Sequence, residues 1–221
     1  MDALSLANRS GPTLVGADGR SRMGDASYRL SKRVTDVVLA VLLLLLAAVP
    51  MALVFLALKL TSRAPAIFRQ RRYGLNGREI VIYKFRTMNL CEDGTRMTTA
   101  RRDDPRVTRL GLFLRRTSLD ELPQLVNVLQ GSMSLVGPRP LAVCQNERYR
   151  KVIRGYMRRH EVKPGITGWA QVHGLRGGDS IEEVRLRLKY DLEYLRSWSF
   201  WLDIRILLRT APLIFRDPRA Y

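Results

Sequence analysis

The chain is predicted to fold as one α/β domain, mostly helical with a small sheet, seated on an N-terminal membrane segment. Three observations carry this expectation. Val37 to Leu58 contains no charged residue and nearly every side chain is aliphatic, enough for a helix of roughly 30 Å, the depth of a bilayer's hydrocarbon core. Two apolar-aromatic runs flank Asn76-Gly77, the pattern of a β-hairpin. Helical periodicity then recurs through the second half, and 221 residues suffice for one domain with a real core.

Taken in order, residues 1–27 form a polar leader with little apolar content, 28–62 the membrane segment, and 63–221 the main domain. A cleaved signal peptide fits poorly, because the apolar run is too long and begins too late. Pro50 sits near the middle of the run, where it removes a helical N–H and bends the axis. Arg29, Lys32 and Arg33 precede the run, and Lys59 and Arg63 follow it. Basic flanks normally stay on the cytoplasmic side, so both ends would remain inside. A helix bent at Pro50 that enters one leaflet and returns satisfies both facts. A single-pass anchor with a tolerated proline also stands.

Beyond the membrane segment, Ala66 to Gln70 and Ile80 to Phe85 are the expected hairpin strands. Residues 89–106 are polar and unpatterned and read as a loop with one short helix, and 107–116 as a basic helix. Helices are expected at about 120–130, 141–158 and 180–195. The turn-rich stretch 162–175 holds Trp169-Ala-Gln-Val172, read as a short strand. Phe200 to Phe215, with Arg205 and Arg209 spaced along it, reads as an amphipathic helix lying in a membrane interface.

A net charge of +18 with a pI near 10.9 calls for a polyanionic neighbour: nucleic acid, anionic head groups or a diphosphate. The cations are scattered, many of them close to the apolar segment, which disfavours nucleic acid as a partner. Cys91 and Cys144 lack any Cys-x-x-Cys spacing, and His160 and His173 are the only histidines. A bound metal is therefore expected to be a hard cation on carboxylate and phosphate oxygens, Mg²⁺ or Mn²⁺.

The most informative stretch is Thr117-Ser-Leu-Asp120-Glu121 through Gly137-Pro138-Arg139-Pro140. With Asp120 as N-cap and Pro123 in the first turn, the helix N-terminus favours ionised carboxylate and phosphate alike. Asp120 there is a potential nucleophile towards phosphorus and Glu121 a metal ligand. Ser118-x-x-Glu121 is equally a capping box of ordinary helix design. Arg139, fixed between two prolines, suits an anion, although such turns also carry solvated arginines. Lys84 and Arg86 share one strand face, where they either contact phosphate or protect a sheet edge. Asp191 lies on a helix whose acids more ordinarily make solvated pairs.

Together Tyr83-Lys-Phe-Arg-Thr-Met88, Asp104 to Gly111, Thr117 to Pro140, Lys163-Pro-Gly-Ile-Thr-Gly-Trp-Ala-Gln-Val172 and Tyr190-Asp-Leu-Glu-Tyr194 with Trp201-Leu-Asp-Ile204 resemble the bacterial sugar transferase family, the polyprenyl-phosphate phosphoglycosyl transferases. The resemblance implies transfer of a sugar 1-phosphate from a UDP-sugar to undecaprenyl phosphate with release of UMP, as a first membrane step of exopolysaccharide assembly. It implies Asp120 as nucleophile through a phosphosugar-aspartyl intermediate and Glu121 as Mg²⁺ ligand. Lys84, Arg86, Arg139 and Asp191 follow as substrate or phosphate residues. It further implies a re-entrant membrane element at the bacterial inner membrane, with the compact domain facing the cytoplasm against membrane lipids. Galactose or glucose is the expected sugar, and homo-oligomerisation is left open. Val49-Pro50 stands where many members have Ser-Pro, His173 where Asn is common, and the extra multi-spanning N-terminal region of larger members has no counterpart. An inactive scaffold for glycan assembly and a membrane-anchored nucleic-acid binder are the competing readings.

Overall fold

The computed structural model describes residues 26–89 and 104–216. The 1–27 leader, all but its last two residues, the centre of the expected 89–106 loop and Cys91 lie outside them. Helix α1 (Ala26–Thr61) contains the whole apolar run and continues through Pro50. It is one helix long and apolar enough to cross a membrane. Leu42, Leu45, Leu46, Val49 and Leu53 point outward from it, from 51% to 78% exposed. Leucines in that number on one outer face have no favourable neighbour in water.

Strands β1 (Ile67–Tyr73) and β2 (Glu79–Phe85) form the expected antiparallel hairpin, with Ile67 opposite Phe85 and Tyr73 opposite Glu79. Asn76 and Gly77 both take positive φ at the turn, +55° and +72°, the conformation that favours this pair. Helix α2 (Arg109–Arg116) opens on Thr108, whose side chain accepts from the Gly111 N–H. A 3₁₀ turn (Leu119–Glu121) joins it to α3 (Gln124–Gln130).

Two expectations fail around the second sheet. Strand β3 (Ser134–Val136) pairs in parallel with β4 (Gly165–Thr167), whereas Trp169–Val172, expected as a strand, is the single-turn helix α5. Gly137 and Gly165 make this parallel pairing possible: a Cβ on Gly165 would stand 2.1 Å from the Gly137 nitrogen, so only glycine allows the two backbones so close. The helix expected over 141–158 also breaks. Helix α4 (Val143–Val152) stops at an extended Ile153, and after Gly155 at φ +75° the chain resumes as a 3₁₀ turn, Tyr156–His160. Two 17-residue helices, α6 (Ile181–Ser197) and α7 (Phe200–Arg216), complete the fold.

One core joins α1, α3, β3, α6 and α7 through Ala40, Leu125, Val128, Leu135, Val136, Tyr194 and Ile206. A second, under α4 and α6, contains Tyr149, Tyr156, Val184 and Leu188. A third packs Val54 and Leu58 of α1 on Ala66, Phe85 and Leu114. The hairpin edge is covered by α3. The Tyr83 N–H donates to Asn127 Oδ1 at 3.0 Å, and Asn127 Nδ2 donates to the Val81 carbonyl at 2.7 Å. Lys84 is thereby set beside the turn that precedes α3.

Candidate active site

The turn Leu119–Glu121 holds the two adjacent carboxylates, Asp120 8% and Glu121 6% exposed. Neither forms the capping arrangement the sequence offered. Ser118 is left-handed at φ +54° and makes no side-chain cap, and the N-cap of α3 is Pro123. The Ser118 hydroxyl instead accepts from Arg176 Nη2 at 3.1 Å, and the Glu121 carboxylate is turned towards cations.

Glu121 is held by three of them. Lys84 Nζ lies 2.9 Å and Arg139 Nη2 2.7 Å from Oε1, and Arg176 Nη2 lies 3.6 Å from Oε2. Burial alone would raise the Glu121 pKa, but Arg139, Lys84 and Arg176 together outweigh it and hold the acid well below its usual range. Burial lowers the Lys84 ammonium, an effect its pairing with Glu121 only partly offsets. Asp120 is the opposite case. No hydrogen bond reaches its carboxylate among the described residues, and burial pushes its pKa up to about 6 against the pull of Lys84, with the Glu121 charge adding to the rise. Two neighbouring acids whose environments drive them apart have separate tasks: one is a fixed charge, the other an unbonded carboxylate whose ionisation is poised.

Of the other expected residues, Arg139 and Lys84 join the acid pair. Arg86 does not: its Nη1 donates to Ser62 Oγ at 3.0 Å, where α1 leads into the hairpin. Asp191 is 2% exposed and paired with Arg159 at 2.8 Å, and Arg159 Nη2 donates to the Arg139 carbonyl at 2.9 Å. Asp191 thus reaches the site only through other residues. Pro50 lies inside α1, remote in sequence from all of these.

The sequence reading missed Arg176, Arg115 and Arg159. Arg176 stands in a glycine-rich segment, Gly174 to Gly178, which resembles an ordinary loop. Arg115, at the end of α2, acts on the Asp120 charge and buries an Nη1 with no hydrogen-bond partner.

No group of three metal-ligating side chains exists among the described residues. The donor chemistry nonetheless fits a hard ion. Asp120 offers unbonded oxygens, and Glu121 Oε2, which accepts from Arg139 Nη1 at 3.3 Å, is held more loosely than Oε1. Mg²⁺ takes one or two carboxylates and fills its shell with water and phosphate oxygens.

The profile of the bacterial sugar transferase family matches residues 27–217. The UDP-glucose:undecaprenyl-phosphate glucose-1-phosphate transferase of Escherichia coli (strain K12) is 55% identical over 194 residues, which cover 87% of this chain and 42% of that protein. A protein of the same name from Caulobacter vibrioides is 50% identical over 193 residues, 87% of this chain and 72% of its own length. The Exopolysaccharide production protein PSS of Rhizobium leguminosarum bv. phaseoli is 42% identical over 187 residues, 81% of this chain and 92% of its own length. The chain spans only about two fifths of the length of the Escherichia coli protein and of the proteins of the same name from Klebsiella pneumoniae and Xanthomonas campestris pv. campestris.

Proposed function

Because the chain belongs to the bacterial sugar transferase family, we propose that it transfers glucose 1-phosphate from UDP-glucose to undecaprenyl phosphate and releases UMP. The names of the most similar relatives support glucose over galactose. The observation that carries the mechanism is the split between an unbonded Asp120 and a Glu121 clamped by Lys84, Arg139 and Arg176.

An Asp120 carboxylate oxygen attacks the β-phosphorus of the donor. The new O–P bond forms as the bond from that phosphorus to the bridging oxygen breaks, and UMP departs with the electron pair. An oxygen of undecaprenyl phosphate then attacks the same phosphorus, the aspartyl–phosphorus bond breaks, and the Asp120 carboxylate is restored. The cations around Glu121 would stabilise the charge that builds on the phosphoryl oxygens. Glu121 would hold Mg²⁺, which supplies neutralisation of the diphosphate when bound. The buried turn keeps water from competing for the phosphoaspartate.

The acceptor phosphate is confined to a membrane surface, and the enzyme must sit there with it. The reading is of a domain on the cytoplasmic face of the inner membrane, with α1 entering one leaflet and returning. Its support is that both ends of α1 pack against the same body, Lys32 and Asp36 at one end and Val54 and Leu58 at the other. The exposed Phe200, Trp201 and Leu208 of α7 suit the interface beside it. Intact-mass measurement of the purified protein with Mg²⁺ and a panel of UDP-sugars, without lipid, tests the chemistry. A hexose-phosphate adduct with UDP-glucose that Asp120→Asn abolishes is the expected result. Folded protein that releases no UMP from any donor would count against it.

A further inference from the structure

Helix α6 buries two charged residues one turn apart, Arg187 at 4% and Asp191 at 2% exposure. Charges in such places are costly unless each is fully engaged. At i and i+4 they share a helix face and are placed to pair with each other, yet their hydrogen bonds run elsewhere. Arg187 donates from Nε to the Leu175 carbonyl at 3.2 Å and from Nη2 to the carbonyls of Gly177 and Gly178. Those three carbonyls bracket Arg176. Asp191 accepts from Arg159 Nε at 2.8 Å, and Arg159 Nη2 donates to the carbonyl of Arg139 itself. Arg176 and Arg139 are two of the three cations on Glu121.

We propose that Arg187 and Asp191 are positioning residues. From one face of α6 they hold, through backbone carbonyls, the two segments that carry Arg176 and Arg139, and so set the cationic clamp on Glu121. Neither residue touches substrate. The need for both is physical: residues 174–178 include three glycines and lose much conformational freedom when ordered. Arg139, although flanked by prolines, still needs its peptide plane oriented. A clamp built on such segments is pre-organised only if something buried and multidentate fixes the backbone, and a planar guanidinium does this better than an ammonium. On this reading Asp191 belongs to the site as the anchor of Arg159, not as a phosphate contact.

The proposal rests on the reading of Asp120 and Glu121 as the catalytic pair, and it is tested on the full-length chain in lipid nanodiscs. In a double-mutant cycle on kcat/KM for UDP-glucose, Arg187→Lys and Arg176→Ala each lower the value by about tenfold or more. The pair together is no worse than the poorer single variant within about twofold, because a residue acting through Arg176 has nothing left to position. Asp191→Asn and Arg139→Ala behave likewise, whereas each crossed pair loses more than either of its single variants. Multiplicative losses within the matched pairs overturn the proposal. Amide hydrogen exchange gives a readout independent of turnover. Arg187→Lys raises exchange at 174–178 and Asp191→Asn at 137–142, each with little change elsewhere. A uniform rise, or none, overturns the proposal equally. Should wild-type protein transfer no sugar phosphate, the functional reading falls while the exchange experiment still decides the positioning.

Discussion

Asp120 and Glu121 are neighbours with the same functional group, and their surroundings separate them. Glu121 gains more from Arg139, Lys84 and Arg176 than burial takes away, whereas Asp120 remains dominated by desolvation. Removing the two charges should therefore move stability in opposite directions. The folded-state pKa of Asp120 is raised from 3.8 to about 6, so above pH 6 the group is ionised in both states and the folded protein bears the full cost. Asp120→Asn should gain of order 2 kcal/mol there, a rise of several degrees in the unfolding midpoint. That gain shrinks as pH falls through 6 and vanishes only below the unfolded value of 3.8, where the acid is protonated in both states. Glu121→Gln leaves two guanidinia and an ammonium without their counter-charge and should cost about 3 kcal/mol. This loss is present above the ordinary glutamate range and fades only below it. Thermal unfolding of both variants in detergent between pH 4.5 and 8 reads the two signs. The same ionisation gives the first half-reaction an acid limb, since only the carboxylate attacks phosphorus, and Mg²⁺ at Glu121 would move that limb below the metal-free value of about 6. A burst of UMP that does not fall on acidification towards pH 4 would contradict attack by the Asp120 carboxylate.

Among the elements, α3 and the hairpin are joined by Asn127, which is fully buried and satisfies the edge groups of Val81 and Tyr83. Asn127→Leu keeps the volume but orphans the half-buried Tyr83 N–H and Val81 carbonyl, which should cost about 1 kcal/mol. Lys84 follows Tyr83 directly, so its grip on Glu121 should loosen too, and urea unfolding with kcat measured on the folded fraction checks both effects. The local signals of these elements were legible. Asn-Gly at positive φ gave the hairpin, and the aliphatic run gave α1. Lys84, Glu121 and Arg139, far apart in sequence, meet in one ion cluster. What stayed hidden depends on long-range partners. Trp169 and Val172 favour strand by propensity, but β4 ends at Thr167 and the extended Gly168 starts a new turn. Ser118-x-x-Glu121 has the letters of a capping box, yet Arg176 takes the serine hydroxyl and three cations take the glutamate. Propensity offers a local partner, and a buried ion cluster outbids it. Arg176 and Arg159 carry no signature of their own because their roles are set by what α6 brings to them.

For the molecule as a whole, the question is whether α1 crosses the bilayer or returns. Asp36 binds the Leu135 N–H and the Ser134 hydroxyl, Lys32 pairs with Asp203 at 2.6 Å, and Arg33 caps the last carbonyls of α3. Eighteen residues on, Val54 and then Leu58 pack under Phe85 and Leu114 in the same body. At 1.5 Å per residue that interval is about 27 Å of helix, close to the roughly 30 Å of a hydrocarbon core. A crossing would carry one of these two docking sites to the far surface, where no part of the domain is available to receive it. Prising either end away would expose buried ion pairs on one side or a hydrophobic cluster on the other, each a larger penalty than one proline bend. Both ends should therefore lie on one face. Single cysteines at Tyr28 and Ser62, in a Cys91→Ser, Cys144→Ser background, should both react with a membrane-impermeant maleimide only after the cytoplasmic face is opened. Labelling of one from each side would establish a crossing and detach the basic flanks from the argument. Pro50→Leu supplies the converse: a stiffer apolar helix is better suited to span. A fraction of that variant should then expose one end to the outer face and lose transfer activity in the same proportion.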